Sequence, residues 1–274
     1  MCIRDSIPAL TLAGAFLFAL GRMAAAQGTP SETTPADDLL RAAKFAEAKA
    51  AFQAEPASPR TATKLGEIAI LENNLKEAEA ILKPIASDDN TRARSLLAEA
   101  LYRQDRFDEA SRLYEQAGRK PKAAQLTTFA GQVPYEIRSG PPATEVPFIT
   151  TDPLPVVEVR LNGTDPVYFL IDTGGNELVI DPEVADRLKL PRFGSETGMF
   201  AGAKSAPVEF SRLDSFTIGE FEVHNLPAKL LKTSRFAGIV GRPVSGIIGT
   251  VFLYHFRATL DYPGGRRCRR SGWS

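Results

Sequence analysis

The sequence predicts an α+β multidomain chain in which an N-terminal α-helical solenoid is followed by an all-β domain. Three observations carry that reading. From Ala36 to Ala130 the chain is rich in Ala, Leu, Glu, Lys and Arg at helical spacing, and it repeats. Beyond Pro155 the pattern changes to short alternating apolar runs separated by turn residues. One of these runs, Phe169-Leu170-Ile171, leads directly into Asp172-Thr173-Gly174-Gly175. There a buried strand delivers a carboxylate to a tight turn, beside a small hydroxyl and two glycines that permit close backbone approach.

The 274 residues include 33 basic and 33 acidic side chains, and 43% are apolar, an ordinary globular balance. A neutral chain of this kind is not built for nucleic acid or for an acidic membrane surface. The start of the chain is different. Ile7 to Leu20 is almost wholly apolar, Gly21 and Arg22 interrupt it, and Ala24-Ala25-Ala26 follows. That order reads as a secretory signal peptide over residues 1–26, cut after Ala26, which sends the mature chain across the inner membrane to the periplasm. The apolar run is short for a bilayer span; an uncleaved N-terminal membrane anchor is the alternative. Asp5 offsets Arg4 ahead of the run, so Met1 to Ser6 fits a natural start poorly.

Cys2 would leave with the signal and Cys268 lies in a basic tail, so the mature chain has no pair for an internal disulfide. No cysteine stands at the end of the apolar run to carry a lipid. His224 and His255 are isolated and do not combine with the cysteines into a zinc site, so neither a metal nor a cofactor is expected. His224 follows an alternating strand and reads as a surface residue.

Residues 27–36 form a polar, proline-containing leader, read as flexible. Residues 37–130 hold the repeats. Phe45-Ala46-Glu47-Ala48, Leu75-Lys76-Glu77-Ala78 and Phe107-Asp108-Glu109-Ala110 share one pattern at intervals of 30 and 32 residues. Upstream, Leu65-Gly66-Glu67-Ile68-Ala69 aligns with Leu97-Ala98-Glu99-Ala100-Leu101. Pro56, Pro59 and Pro84 fall between helices. A period near this length, with two helices per unit and small residues where they cross, resembles tetratricopeptide repeats. Leu40, Leu71, Leu82, Leu97, Leu101 and Leu113 are the expected shared core. Gly118 ends the last repeat helix, and Lys120 to Ala130 supplies a capping helix. A plain antiparallel bundle is the alternative architecture. The repeats read either as a docking surface for a protein partner or as a spacer or dimer-stabilising element.

Residues 131–153 read as a linker: six prolines and two glycines lie between Gly131 and Pro155, with extended pieces at Tyr135–Arg138 and Val146–Ile149. In the β half, Val157, Val159 and Leu161 alternate with Glu158 and Arg160, and Asn162-Gly163 supplies a turn. Val167 to Ile171 is the second strand and Leu178-Val179-Ile180 the third. Asp181-Pro182 starts a short helix that ends near Leu190-Pro191, with Asp181 as N-cap and Val184 and Leu188 inward. Phe216-Thr217-Ile218 and Phe221-Glu222-Val223 flank a tight Gly219-Glu220 turn. Gly198, Met199, Phe200, Ala201 and Gly202 form either a mobile loop over a cleft or an ordinary hairpin. Gly246-Ile247-Ile248-Gly249 would let an apolar segment pass close under another backbone, and Ala258 to Tyr262 closes as a strand.

Together Leu170-Ile171-Asp172-Thr173-Gly174, the Leu178–Leu190 strand and helix, and Gly246-Ile247-Ile248-Gly249 before Phe252-Leu253 resemble a retropepsin-like aspartic protease domain over residues 154–265. Helical repeats ahead of such a domain also resemble secreted bacterial aspartyl proteases. The resemblance implies an all-β acid-protease fold and an aspartic endopeptidase acting on a peptide or protein substrate. Two aspartates sharing one proton would activate a water. Only one Asp-Thr-Gly occurs, so the resemblance implies a homodimer in which each chain gives one Asp172. Thr173 would lock the two loops, Gly174 would allow their approach, Gly198 to Gly202 would be the flap, and Gly246 to Gly249 would support the loop. Residues 266–274 are a basic tail, or a truncated or misread end, where the family continues with an apolar strand. The turn also continues as Gly175-Asn176, without the small residue common after the glycine. A non-catalytic binding module, or a scaffold with a purely structural β domain, is the competing reading.

Overall fold

The computed structural model describes residues 2–5, 34–200 and 204–261. They form two compact units: residues 34–131 with 196–200 and 204–207, and residues 2–5, 132–195 and 208–261. A helical repeat region is thus followed by a β-barrel.

The helical unit contains α1 (Pro35–Arg41), α2 (Phe45–Ala54), α3 (Pro59–Leu71), α4 (Leu75–Leu82), α5 (Thr91–Tyr102), α6 (Phe107–Gln116) and α7 (Lys120–Thr127). The residues that mark the repeat in the sequence, Phe45, Leu75 and Phe107, each open a helix. Ahead of them Ala43, Asn73 and Asp105 adopt φ of 57°, 59° and 61°, and Gly118 takes 77° before α7. Each left-handed residue closes the preceding helix the same way. Lys44 N–H donates to Leu39 O and Ala43 N–H to Leu40 O, and the same pair of bonds recurs at Asn73-Asn74, Asp105-Arg106 and Gly118-Arg119. This is the Schellman arrangement, which satisfies carbonyls that a helix end leaves free. At the N-termini, Ser58 accepts from Thr61 N–H at 3.1 Å and Asn90 from Ala93 N–H at 3.0 Å.

Small residues fill the crossings. Ala48, Ala78, Ala98 and Ala110 are fully buried, and a Cβ on Gly66 would stand 2.5 Å from the Leu82 side chain. Of the expected leucine core, Leu82, Leu97 and Leu101 are buried, whereas Leu40, Leu71 and Leu113 are half-buried. Aromatic rings take much of the interior instead: Phe107 stacks on Tyr102 at 5.2 Å and meets Phe129 edge-on at 5.4 Å.

The β unit contains β1 (Cys2–Asp5), β2 (Glu136–Ser139), β3 (Ala143–Glu145), β4 (Phe148–Thr150), β5 (Val156–Leu161), β6 (Val167–Ile171), β7 (Leu178–Ile180), β10 (Phe221–Leu230), β11 (Gly246–Ile248) and β12 (Phe256–Thr259), with α8 (Pro182–Arg187), α9 (Ala237–Val240) and α10 (Thr250–Leu253). The strands β8 (Arg192–Phe200) and β9 (Lys204–Ile218) form a hairpin whose residues divide between the two units. Strands pair in the order β10-β7-β11-β6-β5-β9, and β9 pairs back onto β10, so six strands close a barrel. β11 is parallel to β6 and antiparallel to β7. Phe169, Phe216 and Phe252 fill the interior, with ring centroids 5.6 and 5.1 Å apart in sequence.

Several expectations change here. The 131–153 stretch contains three short strands, one more than its two expected extended pieces; β2 and β4, which overlap those pieces, pair with β10 and β5. Its prolines fall at strand ends and leave the ladder intact. The closing strand is Phe256–Thr259 rather than Ala258 to Tyr262. Cys2–Asp5, inside the expected signal peptide, pairs antiparallel with both β3 and β12, whose edges otherwise lack a backbone partner on that side. The apolar run from Ile7, the Ala26 cleavage site, the leader up to Thr33 and the 266–274 tail lie outside the described residues. Among the described residues no helix is long and apolar enough to cross a membrane.

Asp37, in the first turn of α1, is buried at 7% exposure. Burial raises its proton affinity, but the Thr34 N–H at 3.0 Å together with Lys64 and Arg60 outweighs it, and the carboxyl is held below its ordinary 3.8. A depressed folded-state value stabilises above the unfolded value and loses that contribution as pH falls through the folded one. Asp37→Asn should therefore cost about 1–2 kcal/mol at pH 7. In urea unfolding followed by circular dichroism, the gap to the parent should shrink steadily below pH 3.8.

Candidate active site

β6 carries Phe169, Leu170 and Ile171 into the barrel wall, all at 5% exposure or less. The strand ends there because the next two residues turn. Asp172 N–H donates to Ile248 O at 3.0 Å, Gly174 N–H to Asp172 Oδ1 at 2.7 Å, and Gly175 N–H to Asp172 O at 3.1 Å. The segment after β11 then grips the loop from below. Thr250 donates twice to Gly175 O, from N–H at 2.8 Å and from Oγ1 at 3.0 Å, and Val251 N–H donates to Asn176 O at 2.8 Å.

This approach depends on missing side chains. A Cβ on Gly249 would stand 2.6 Å from the Asn176 carbonyl and from Glu177 O; one on Gly246 would stand 2.3 Å from the Phe169 ring and from Val179 O. Ile247 and Ile248 between them are buried at 7% and 0%. The structure thus brings Asp172, Thr173 and Gly174 together with Gly246, Ile247, Ile248 and Gly249.

The carboxylate itself is not buried as expected. Asp172 and Gly174 are exposed and Thr173 is half-buried, because the turn lies just past the end of the barrel wall. Among the described residues the Thr173 hydroxyl makes no hydrogen bond. The candidate flap residues Gly198, Met199 and Phe200 end β8 of the β8–β9 hairpin, while Ala201 and Gly202 lie outside the described residues. Asp261 is exposed just beyond β12, and its sequence Asp261-Tyr262-Pro263 is not an Asp-Thr-Gly.

A buried polar knot escaped the sequence. Asp181 caps α8 through Glu183 N–H at 3.0 Å, and its second oxygen accepts from Thr233 N–H at 2.8 Å and Thr233 Oγ1 at 3.0 Å. Thr233 also donates to Val244 O. The N-cap is legible in Asp181-Pro182, but a partner 52 residues away leaves no local pattern. His224 bonds Glu222 at 2.9 Å, and His255 stacks on Tyr135 at 3.8 Å and bonds Val251 O. Among the described residues no group of His, Cys, Asp and Glu is placed to hold a metal.

Comparison with known families agrees with this geometry. Residues 157–252 match the aspartyl protease family model, and residues 91–116 match a tetratricopeptide repeat model. Among solved structures, a retropepsin-like aspartic protease from Rickettsia conorii is 19% identical over 46% of this chain and 89% of its own, with a TM-score of 0.33. EIAV protease complexed with the inhibitor HBY-793 is 19% identical over 38% of this chain and 89% of its own, with a TM-score of 0.26. No curated protein matches the chain. The chain thus carries a stretch similar to aspartyl proteases after one similar to a tetratricopeptide repeat.

The loop's dependence on close approach is open to direct measurement. Gly249 has φ of −91°, so alanine is allowed there by its own backbone and only the Asn176–Glu177 contact resists it. Gly249→Ala should destabilise the chain by about 1–3 kcal/mol through that overpacking. Denaturant unfolding should show it as a lower midpoint with an unchanged slope.

Proposed function

We propose that the β domain is an aspartic endopeptidase that works as a homodimer, with one Asp172 carboxylate from each chain. The turn carries this reading: Asp172 is fixed through its backbone to Ile248 while its side chain faces solvent. The sequence holds one Asp-Thr-Gly, so a second carboxylate would come from a second copy across a two-fold axis.

Two facing carboxylates share one proton, because both cannot easily be ionised at close range. The ionised one takes a proton from a water, whose oxygen attacks the scissile carbonyl carbon. The protonated one donates to the carbonyl oxygen. The resulting diol collapses, the C–N bond breaks, and the amine leaves with a proton. Thr173 would tie the paired loops together, Gly174 would allow them to meet, and the Gly198–Gly202 hairpin would exclude water. The repeats would dock a protein partner, a role that the match of residues 91–116 to a tetratricopeptide repeat supports. The apolar run ending at Ala24–Ala26 supports export to the periplasm. Cleavage after Ala26 would remove β1 from its place between β3 and β12.

Peptide-library cleavage by the signal-free protein from acidic to neutral pH tests the proposal. Cleavage should rise with protein concentration as dimers form, and Asp172→Asn should lower it by about 10²–10⁴-fold. A verified, folded dimer that cuts nothing would overturn the protease reading and leave a binding module built on the repeats.

A further inference from the structure

We infer that the segment 231–245 selects acidic substrates. It rests on the protease reading and makes it more specific: the preferred peptide carries Asp or Glu within about four residues of the cleaved bond.

The inference starts from β6. Alternation along a strand places Tyr168, Leu170 and Asp172 in one row on one face. At ~3.3 Å per residue, Tyr168 lies about 13 Å from Asp172, roughly four residues of an extended peptide. Ile247 and Val156 pair with Leu170 across the neighbouring strands. Val244, Val240 and Phe236 of the 231–245 segment pack on this face, against Leu170, Ile247 and Tyr168. The segment is therefore built onto the face that the reacting carboxylate terminates.

Its charge is one-sided. Lys232, Arg235 and Arg242 lie within it, and no acidic residue occurs between Glu222 and Asp261, in a chain whose charges otherwise balance at 33 and 33. Each of the two guanidinium groups lies over an aromatic ring. Arg242 sits over Tyr168 at 4.9 Å and Arg235 over Phe236 at 4.8 Å. Neither has an ion-pair partner among the described residues, and Arg242 Nε is buried without a hydrogen bond. The N–H edge of a guanidinium matches a carboxylate bidentately.

The platform is rigid where it must be. Thr233 and Val244, near its two ends, are joined through Thr233 Oγ1, and Thr233 is anchored to Asp181. Asp181 N–H donates to Ser245 O at 2.8 Å, and Ser245 N–H to Tyr168 O at 2.8 Å, which ties the segment to the row that ends at Asp172. The nearby carboxylates are already engaged: both Asp181 oxygens accept bonds, and Glu177 pairs with Lys229 at 3.3 Å.

Decapeptides cut by the full protein, remade with Glu, Gln or Lys at each position up to four residues from the cut, test this. At one of these positions kcat/KM should favour Glu over Gln by about tenfold and disfavour Lys, and the Glu:Gln ratio should fall as salt rises. Arg242→Gln should bring that ratio close to one, and Arg242→Glu should reverse it toward Lys. Arg235→Gln serves as the second variant should the Arg242 changes unfold the segment. Cleavage with equal rates on Glu and Gln peptides at every position overturns the inference and leaves the protease reading standing. If no peptide is cut, the protease reading fails instead. Fluorescence anisotropy of labelled Glu and Gln decapeptides on Asp172→Asn then decides the inference separately: Arg242-dependent preference for Glu upholds acid selection, and equal binding overturns it.

Discussion

The close passage of β11 beneath the aspartate turn is the constraint on which the β unit depends. A chain leaving a strand at Asp172 and turning at once has backbone donors and acceptors that must find partners. They find them on a segment some 75 residues later, at Ile248 and Thr250. The approach is possible only because Gly246 and Gly249 leave no Cβ in the way. Once β11 is inserted between β6 and β7, the strand order is fixed. β7 must reach β10, β10 must return along β9, and the barrel closes without an exposed edge among those six strands. One close contact thus sets both the topology and the shape of the turn.

The helical unit solves its packing problem by repetition. Helices α1, α3, α5 and α6 each end in a left-handed residue two positions before the next helix, at Ala43, Asn73, Asp105 and Gly118. Only the last is glycine. A non-glycine residue is strained at positive φ, by about 1–2 kcal/mol in the left-handed region, so three such residues need compensation. It comes from the paired 6→1 and 5→2 hydrogen bonds at every turn and from the contacts that fully buried Ala48, Ala78 and Ala110 allow between crossing helices. The strain is local and the gain is tertiary, which is why a short helix such as α4 persists in a repeat though it would be marginal alone.

These physical devices also explain what could be read from the residues. The repeat residues Phe45, Leu75 and Phe107 announce helix starts because periodicity and turn position are local. The hairpin at Gly219-Glu220 is legible for the same reason; Ile218 pairs with Phe221 and Gly219 has φ of 58°. Asn162-Gly163, with φ of 47° and 69°, is another turn whose chemistry lies in its own two residues. Gly246 and Gly249 are readable as a close approach, though not what they approach. What stays hidden is non-local. β3 is a short strand between prolines, and its partner β1 alone makes it a strand. Thr233 has no pattern of its own until Asp181 lies beside it. The exposure of Asp172 follows from where the barrel wall ends, which the apolar run before it does not reveal.

That exposure separates what one chain completes from what it does not. The backbone of the turn is satisfied: Asp172 N–H, Gly174 N–H and Gly175 N–H all have acceptors, and the Gly175 and Asn176 carbonyls have donors. The side chain is different. Of the roughly four lone-pair sites on a carboxylate, the described residues fill one, through Gly174 N–H. The geometry of the turn is therefore paid for entirely by folding, independently of whatever meets the carboxylate. On the dimer reading, this allows a chain to fold and travel with its aspartate inert in water, and to gain acid–base chemistry only when a second carboxylate arrives. The 231–245 segment fits the same division: Arg235 and Arg242 lie over aromatic rings of their own unit and have no ion-pair partner among the described residues.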